Sequence, residues 1–190
     1  AVADTDAKPI HTGTLFELGG GTLRLVSVDG YRLAIREEPV QANEEASFVV
    51  PGKTLNEVTK LLSDSEEETL SLVVGRRHIL FKIGNYTVIS RLLEGEFLDY
   101  KAAIPAASST EVLVNTRSFI ESVERVSLLI TDRLKSPVRC LFEDNEIKLS
   151  CSTSMGRAND QFEAQITGGN VEIGFNNRYL LDALRNAEGD

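Results

Sequence analysis

With 190 residues, 42% of them hydrophobic, the chain is long enough to bury a core in one or two domains. Its formal net charge of −9 excludes an ordinary nucleic-acid binder that gains affinity by neutralising phosphates, but not one held on DNA by topology. No run approaches the roughly 18 apolar residues of a membrane span, and the opening AVADTDAKPI is acidic and polar, so a soluble, cytoplasmic protein with no membrane partner is expected.

In chain order the sequence predicts mostly strands. After a thin helical remnant at residues 1–6, β-rich segments run over Thr14–Leu18, Thr22–Val28, Arg32–Arg36 and Ser47–Val50. A helix is predicted over Thr54–Leu62, where Leu55, Val58 and Leu62 share a face and Thr54-x-x-Glu57 forms a capping box. Strands follow at Leu70–Val74, His78–Ile83 and Tyr86–Leu92. Residues 106–110 (AASST), after Pro105, read as a linker between domains at 1–105 and 111–190. Beyond it come a strand at Glu111–Val114 and a helix over Thr116–Ile130, with Asn115 as cap and Phe119, Val123, Val126 and Ile130 as its apolar stripe. Strands at Val138–Phe142, Glu146–Ser152, Gln161–Ile166 and Val171–Phe175 and a helix over Arg178–Asn186 complete the pattern. Gly19–Gly21, Asp29-Gly30, Gly84-Asn85 and Glu143–Asn145 read as hairpin turns. The fold class is α+β, antiparallel and richer in strand than helix.

The pattern also repeats. Leu15-Phe16-Glu17 returns as Leu141-Phe142-Glu143, and Gly30 as Gly156, both 126 residues on. Val49–Val58 matches Ile173–Ala183 at an offset of 124 to 125. A long fixed period means duplicated units, which assemble into arrays or rings more often than they form one catalytic pocket.

Catalytic chemistry is hard to assemble. His11 and His78 are the only histidines, and neither has a partner at metal-ligand spacing. Cys140 and Cys151, each inside an apolar run, read as buried reduced thiols. Gly19–Gly21 joins two strands and opens no helix, which argues for a turn and against a phosphate cradle. The acidic run Asp64–Glu68 reads as a solvated loop. The basic residues are more informative. Lys53 and Lys60, Arg117 and Arg125, and Arg178 and Arg185 each lie two turns apart on one side of a predicted helix, hinting at a shared basic surface in an acidic chain.

The blocks V-D-G-Y-R-L-A at 28–34, V-P-G-K-T-L-N-E at 50–57, R-L-L-E-G-E-F-L-D-Y at 91–100 and G-F-N-N-R-Y-L-L-D-A-L at 174–184 closely resemble the bacterial sliding clamp family, the beta subunit of DNA polymerase III. The resemblance implies DNA-clamp repeats with sheets outside and helices lining a pore, and a head-to-tail homodimer that encircles duplex DNA. Residues 1–105 would be most of the middle domain, lacking its leading helix, and 111–190 part of the third domain, lacking its C-terminal strands. Clients in this family (the polymerase III catalytic subunit, the clamp loader, other polymerases and repair proteins) dock short linear peptides between those two domains. Carried over residue by residue, the pocket would use Ile10, Val28, Gly30, Tyr31, Arg32, Leu33, Leu98, Ala103, Asn176 and Tyr179. Leu98 departs from the proline often found there, and Ala102 and Ala103 are smaller than usual. The DNA-facing residues would be Lys53, Lys60, Arg117, Arg125, Arg178 and Arg185. No catalytic residue, cofactor or metal is implied. The ring joint would fall near Leu128, Leu129 and Leu134. Competing readings are a hydrolase using Asp29 or Asp99, and a protein-interaction module that kept the clamp fold without DNA.

Overall fold

The computed structural model describes residues 2–3, 8–42, 44–63, 69–131, 133–187 and 189. The expected remnant at 1–6 and the acidic run Asp64–Glu68 fall largely or wholly outside them. The chain divides into two units, Ala1–Ile104 and Pro105–Asp190.

In the first unit, β1 (Gly13–Gly19), β2 (Thr22–Val28), β3 (Leu33–Pro39) and β4 (Ala46–Pro51) form an antiparallel sheet in the order β3-β2-β1-β4. Helix α1 (Gly52–Leu61) follows at once. Then β5 (Leu70–Val74), β6 (His78–Ile83) and β7 (Tyr86–Arg91) form a second sheet, and the short α2 (Tyr100–Ala103) ends the unit. Both faces of the four-stranded sheet are packed. Phe16 and Val50 join Val58 of α1 and Ile79, Phe81 and Ile83 of β6 on one side. On the other, Leu15, Val26 and Val49 meet Ile10 and Tyr100.

In the second unit, β8 (Thr110–Leu113) precedes α3 (Thr116–Val126). Strands β9 (Val138–Glu143), β10 (Glu146–Thr153), β11 (Gly156–Glu163) and β13 (Val171–Phe175) make a sheet ordered β11-β10-β9-β13, while β12 (Gln165–Gly168) pairs with β8. Helix α4 (Asn177–Arg185) closes the unit. One sheet face is packed: Val138, Cys140, Ile147, Leu149 and Cys151 bury against Phe119, Val123 and Val126 of α3 and Leu181 of α4. The other face is not covered in this way, since its Arg139, Ser152 and Glu172 are exposed.

The two four-stranded sheets share one strand order, so the repeat is a structural one. Its register differs from the sequence echo. The first hairpin closes on Gly19 and Thr22, the second on Glu143 and Glu146, an offset of 124. Both loops hold two residues in the left-handed region, Gly20 and Gly21 at φ +58° and +77°, Asp144 and Asn145 at +51° and +60°. Such loops match the twist of the flanking strands. Leu141-Phe142-Glu143 is therefore two residues out of step with Leu15-Phe16-Glu17. A two-residue slip preserves which face each side chain occupies, which is why the words look alike. Gly30 and Gly156 are not equivalent either: a four-residue loop separates Val28 from Leu33, whereas Gly156 closes a two-residue loop on Thr153.

Other expectations need correction. Thr54 is not a cap. Helix α1 starts at Gly52 behind Pro51, and the Thr54 hydroxyl lies 2.7 Å from the Ser90 hydroxyl. The strand expected at Arg32–Arg36 starts at Leu33, because Asp29 holds Arg32 in the preceding turn. The segment expected as one strand over Gln161–Ile166 is two strands, β11 starting earlier at Gly156 and β12 separated at buried Ala164. The Ala164 N–H donates to the Asn145 carbonyl (2.9 Å) and the Ile166 N–H to its Oδ1 (3.0 Å), which fixes the break. Helix α3 stops at Val126, followed by a 3-10 turn over Ser127–Leu129 that leaves Leu128 81% exposed. The Asn115 cap is present, accepting from the Ser118 N–H at 2.8 Å. A 3-10 turn at Pro9–Thr12 and α2 itself had no sequence signal strong enough to predict them. No helix among the described residues is long and apolar enough to cross a membrane.

Candidate functional site

In the first unit, three of the expected pocket residues, Ile10, Val28 and Leu33, lie on one face of the β1–β4 sheet. Val28 and Leu33 are partners across β2 and β3, on the same face as Val26, and Ile10 packs into the same cluster. Beside it a cavity of about 420 Å³ brings Ile10 together with His11, Phe97 and Leu98. Ile10 is 6% exposed and Leu98 44%, so the groove has a firm floor and an accessible lip. His11 and Phe97 meet edge to face with centroids 5.7 Å apart. Neither is among the pocket residues expected from sequence, although Phe97 lies inside the R-L-L-E-G-E-F-L-D-Y block.

The loop after β2 is built by Asp29. Its Oδ1 accepts from the backbone N–H groups of Tyr31 and Arg32, each at 3.1 Å, and Arg32 Nε donates to Oδ2 at 2.7 Å. Burial alone would raise the Asp29 pKa, but these donors outweigh it and hold the carboxyl below its usual range. That role explains Asp29 without catalysis. The loop presents Tyr31, 85% exposed, while Gly30 stands in the open at φ +83°. Ala103, at the end of α2, is exposed. Tyr100 anchors α2: buried, it donates to Glu17 Oε2 at 2.5 Å and accepts from Arg24 Nη1 at 3.1 Å. Asp99 precedes α2 without capping it through its side chain.

In the second unit, a cavity of about 500 Å³ is lined by Asn176 and Tyr179 together with Ile130, Pro137, Phe175 and Arg178. Asn176 caps α4, its Oδ1 accepting from the N–H groups of Arg178 (3.0 Å) and Tyr179 (3.4 Å). The acceptor is thus engaged, leaving the side-chain NH₂ as the group with which Asn176 can address a ligand.

The six basic residues divide into two kinds. Lys60, Arg125 and Arg185 lie in the last turns of α1, α3 and α4, where a cation complements the helix dipole. Lys53, Arg117 and Arg178 are each the second residue of their helix, where a cation opposes the dipole, and no first turn holds an acid to offset it. Such placement costs helix stability, roughly 0.3–1 kcal/mol for an exposed charge. Lys53 and Lys60 share the outer face of α1 with Asn56, Glu57 and Thr59. Carboxylates attend most of the set: Glu57 on Lys60 (2.7 Å), Glu121 on Arg117 (3.0 Å), Asp160 on Arg125 (2.7 Å) and Glu124 on Arg185 (2.7 Å). Among the described residues no group of three or more His, Cys, Asp or Glu could hold a metal ion.

Comparison with known proteins assigns this architecture. Residues 1–99 match the DNA polymerase III beta subunit's central domain, and residues 101–190 its C-terminal domain. The chain belongs to the DNA polymerase III beta-subunit family. Among beta-subunit relatives, the beta sliding clamp of Bacillus subtilis is 34% identical over 194 residues, covering 100% of this chain and 51% of the relative. That of Halalkalibacterium halodurans is 35% identical over 193 residues, covering 97% and 50%. A putative DNA polymerase III beta subunit from Eubacterium rectale superposes with a TM-score of 0.96 at 33% identity, over 100% of this chain and 52% of that one. The DNA polymerase sliding clamp of Bacillus subtilis gives 0.95 at 33% identity, over 100% and 51%. The chain thus has the clamp fold and spans about half the length of the beta subunits it matches.

Proposed function

We propose that this chain acts within a replicative processivity factor: a non-catalytic beta subunit that, as a head-to-tail dimer, encircles duplex DNA and slides on it. It tethers the polymerase III catalytic subunit, the clamp loader and other clients through short peptides. The observation that carries the reading is the pair of units with one strand order, each matching its own beta-subunit domain. The cations in the first turns of α1, α3 and α4 support a face turned to phosphates, because helix stability alone disfavours them there. A net charge of −9 suits a protein that surrounds DNA without gripping it. The Ile10–Leu98 groove suits an apolar peptide anchor, and Asn176 and Tyr179 are the proposed contacts from the second unit. Leu128, with Leu129 and Leu134, is the proposed subunit joint.

The test is titration of a Gln-Leu-x-Leu-Phe peptide into the chain, followed calorimetrically and by backbone amide shifts. Shifts are expected at Ile10, Leu33, Leu98 and Tyr179, and Leu33→Ala should weaken binding about tenfold, the loss expected of an anchor contact. Binding indifferent to both Leu33→Ala and Leu98→Asp would defeat the peptide assignment. Peptide docking retained in a chain whose duplex affinity ignores Lys53→Glu and Arg178→Glu would instead favour an interaction module that kept the fold without DNA.

A further inference from the structure

The carboxylates beside the cations of the second unit have their own consequence. Arg117 Nε lies 3.0 Å from Glu121 Oε1, one turn along α3. Arg185 reaches from α4 across to Glu124 on α3, Nη2 to Oε1 at 2.7 Å. Arg125 is held by Asp160 of β11 at 2.7 Å and lies 3.8 Å from Glu121. Arg117, Arg125 and Arg185 are thus already engaged by carboxylates of the protein itself. We infer that Glu121 and Glu124 attenuate duplex binding: they occupy arginines that would otherwise bind phosphates, so each phosphate contact must displace an internal partner. The inference rests on the DNA-facing reading of α3 and α4 and deepens it, by saying how that face stays slippery.

The physics favours exchange over tight binding. Exposed pairs of this kind are weak, and these arginines are 53% to 86% exposed, so a phosphate can replace the carboxylate at small cost. Where a pair holds in the complex, however, its arginine neutralises no phosphate, and the cation that DNA carries at that position is not released. Counterion release gives log K a slope of about −0.9 per phosphate neutralised. Freeing Arg117 and Arg185 should therefore steepen the slope by about 1.8, an extra loss of about 12-fold in affinity between 50 and 200 mM salt. Asp160 is set aside from the test because it also satisfies the buried Ser122 hydroxyl (2.8 Å).

The experiment measures binding of the full chain to a fluorescent linear duplex as a function of salt, starting low. The double variant Glu121→Gln/Glu124→Gln keeps shape and hydrogen-bonding capacity while removing both charges. It should bind about two- to tenfold tighter at low salt, with the steeper slope. Glu172→Gln is the control. Glu172 pairs with Arg139 at 3.2 Å on the sheet face away from α3 and α4, so its replacement changes net charge and frees Arg139 while leaving Arg117, Arg125 and Arg185 paired. Tightening by Glu172→Gln as large, per charge removed, as that of the double variant would overturn the inference in favour of a global charge effect. An unchanged double variant, with Arg117→Gln and Arg185→Gln still weakening binding, would overturn attenuation and leave the DNA-facing reading intact. Binding indifferent to arginines and carboxylates alike would overturn both. Thermal melts by circular dichroism check that each variant is folded.

Discussion

The bond between α3 and β11 offers a demanding test of the second unit's packing. Ser122 is 0% exposed, and its Oγ donates to Asp160 Oδ2 at 2.8 Å. Arg125 donates to the same oxygen at 2.7 Å. Asp160→Ala removes the acceptor and leaves a buried hydroxyl unsatisfied. A hydrogen bond to a charged partner contributes about 1.5–3 kcal/mol, and an orphaned buried donor costs about 1–3 kcal/mol as the same loss seen from the other side. The Arg125 pair adds less than about 1 kcal/mol, because that side chain is 55% exposed and solvent screens it. The expected loss is about 2–3 kcal/mol, or roughly 10–20 °C in the melting temperature of a unit this size. Ser122→Ala alone keeps the Arg125–Asp160 pair and should cost less. In that background Asp160→Ala should cost at least about 1 kcal/mol less than in the parent, since no buried hydroxyl is stranded. Urea unfolding of the four proteins measures the cycle. A loss below about 0.5 kcal/mol for Asp160→Ala, or strict additivity, would refute the claim that this carboxylate fastens α3 to the sheet.

Three further expectations follow from the same geometry. Asp29 and Asp160 both have pKa values held down, burial opposing and hydrogen-bond donors prevailing, so their stabilisation is present above the unfolded value near 3.9 and is lost as pH falls through the lower folded values; melting temperature should drop below about pH 4, and less so in Asp160→Asn. Cys140 is 0% exposed and burial pushes its thiol up to about 12, so neither it nor buried Cys151 should react with iodoacetamide at pH 8 until the chain unfolds, and rapid native labelling seen by mass spectrometry would contradict this burial. Lys53→Glu should raise the melting temperature by roughly a few degrees by restoring the dipole's preference at the start of α1, while weakening duplex binding, and a variant that binds DNA as before would remove Lys53 from the DNA face.

Much of the fold was legible because alternating or continuous β-rich runs mark its strands. β2, β5, β6 and β13 run between the residues that these runs predict, and Asn115 caps the helix it precedes. Failures came where the signal was not apolar. β11 reads GRANDQFE, and its pairing with β10 is a backbone matter on which hydropathy is silent. The end of β11 at Ala164 depends on Asn145, a residue 19 positions earlier that no local window connects to it. Thr54 fitted the capping-box spelling, yet a helix can begin behind Pro51 without a side-chain cap. In the candidate site, Leu33 and Leu98 were legible as apolar residues in recognisable blocks and Ile10 only through the family resemblance, whereas the part of His11 and Phe97 in shaping the groove becomes visible only once the Pro9–Thr12 turn lies against the 94–98 segment. Glu124 was equally hidden, since it meets Arg185 only through packing of α3 on α4, whereas Glu57 and Glu121 lie within one turn of Lys60 and Arg117 on their own helices.

The corrected register of the repeat explains why the apolar groove belongs to the first unit. One rung of its sheet runs Val26, Leu15, Val49 across β2, β1 and β4. The equivalent rung of the second sheet runs Ser150, Arg139, Gly174 across β10, β9 and β13. On the opposite face the two sheets agree, burying Phe16 and Val50 in one unit and Val138, Cys140 and Leu149 in the other beneath their helices. One face therefore answers to the fold and stays apolar in both copies, since each helix needs a hydrophobic surface to bury its stripe. The other face is released from that duty. In the first unit it recruits Ile10, Tyr100, Leu33 and Phe97 into a second hydrophobic layer, and the groove with its Leu98 lip lies at the margin of that layer. In the second it became polar, with Arg139 paired to Glu172 and Lys148 to Glu143. Only the first of these faces offers the apolar surface that the proposed peptide anchor requires, so two units of one topology differ by what they place on a single rung.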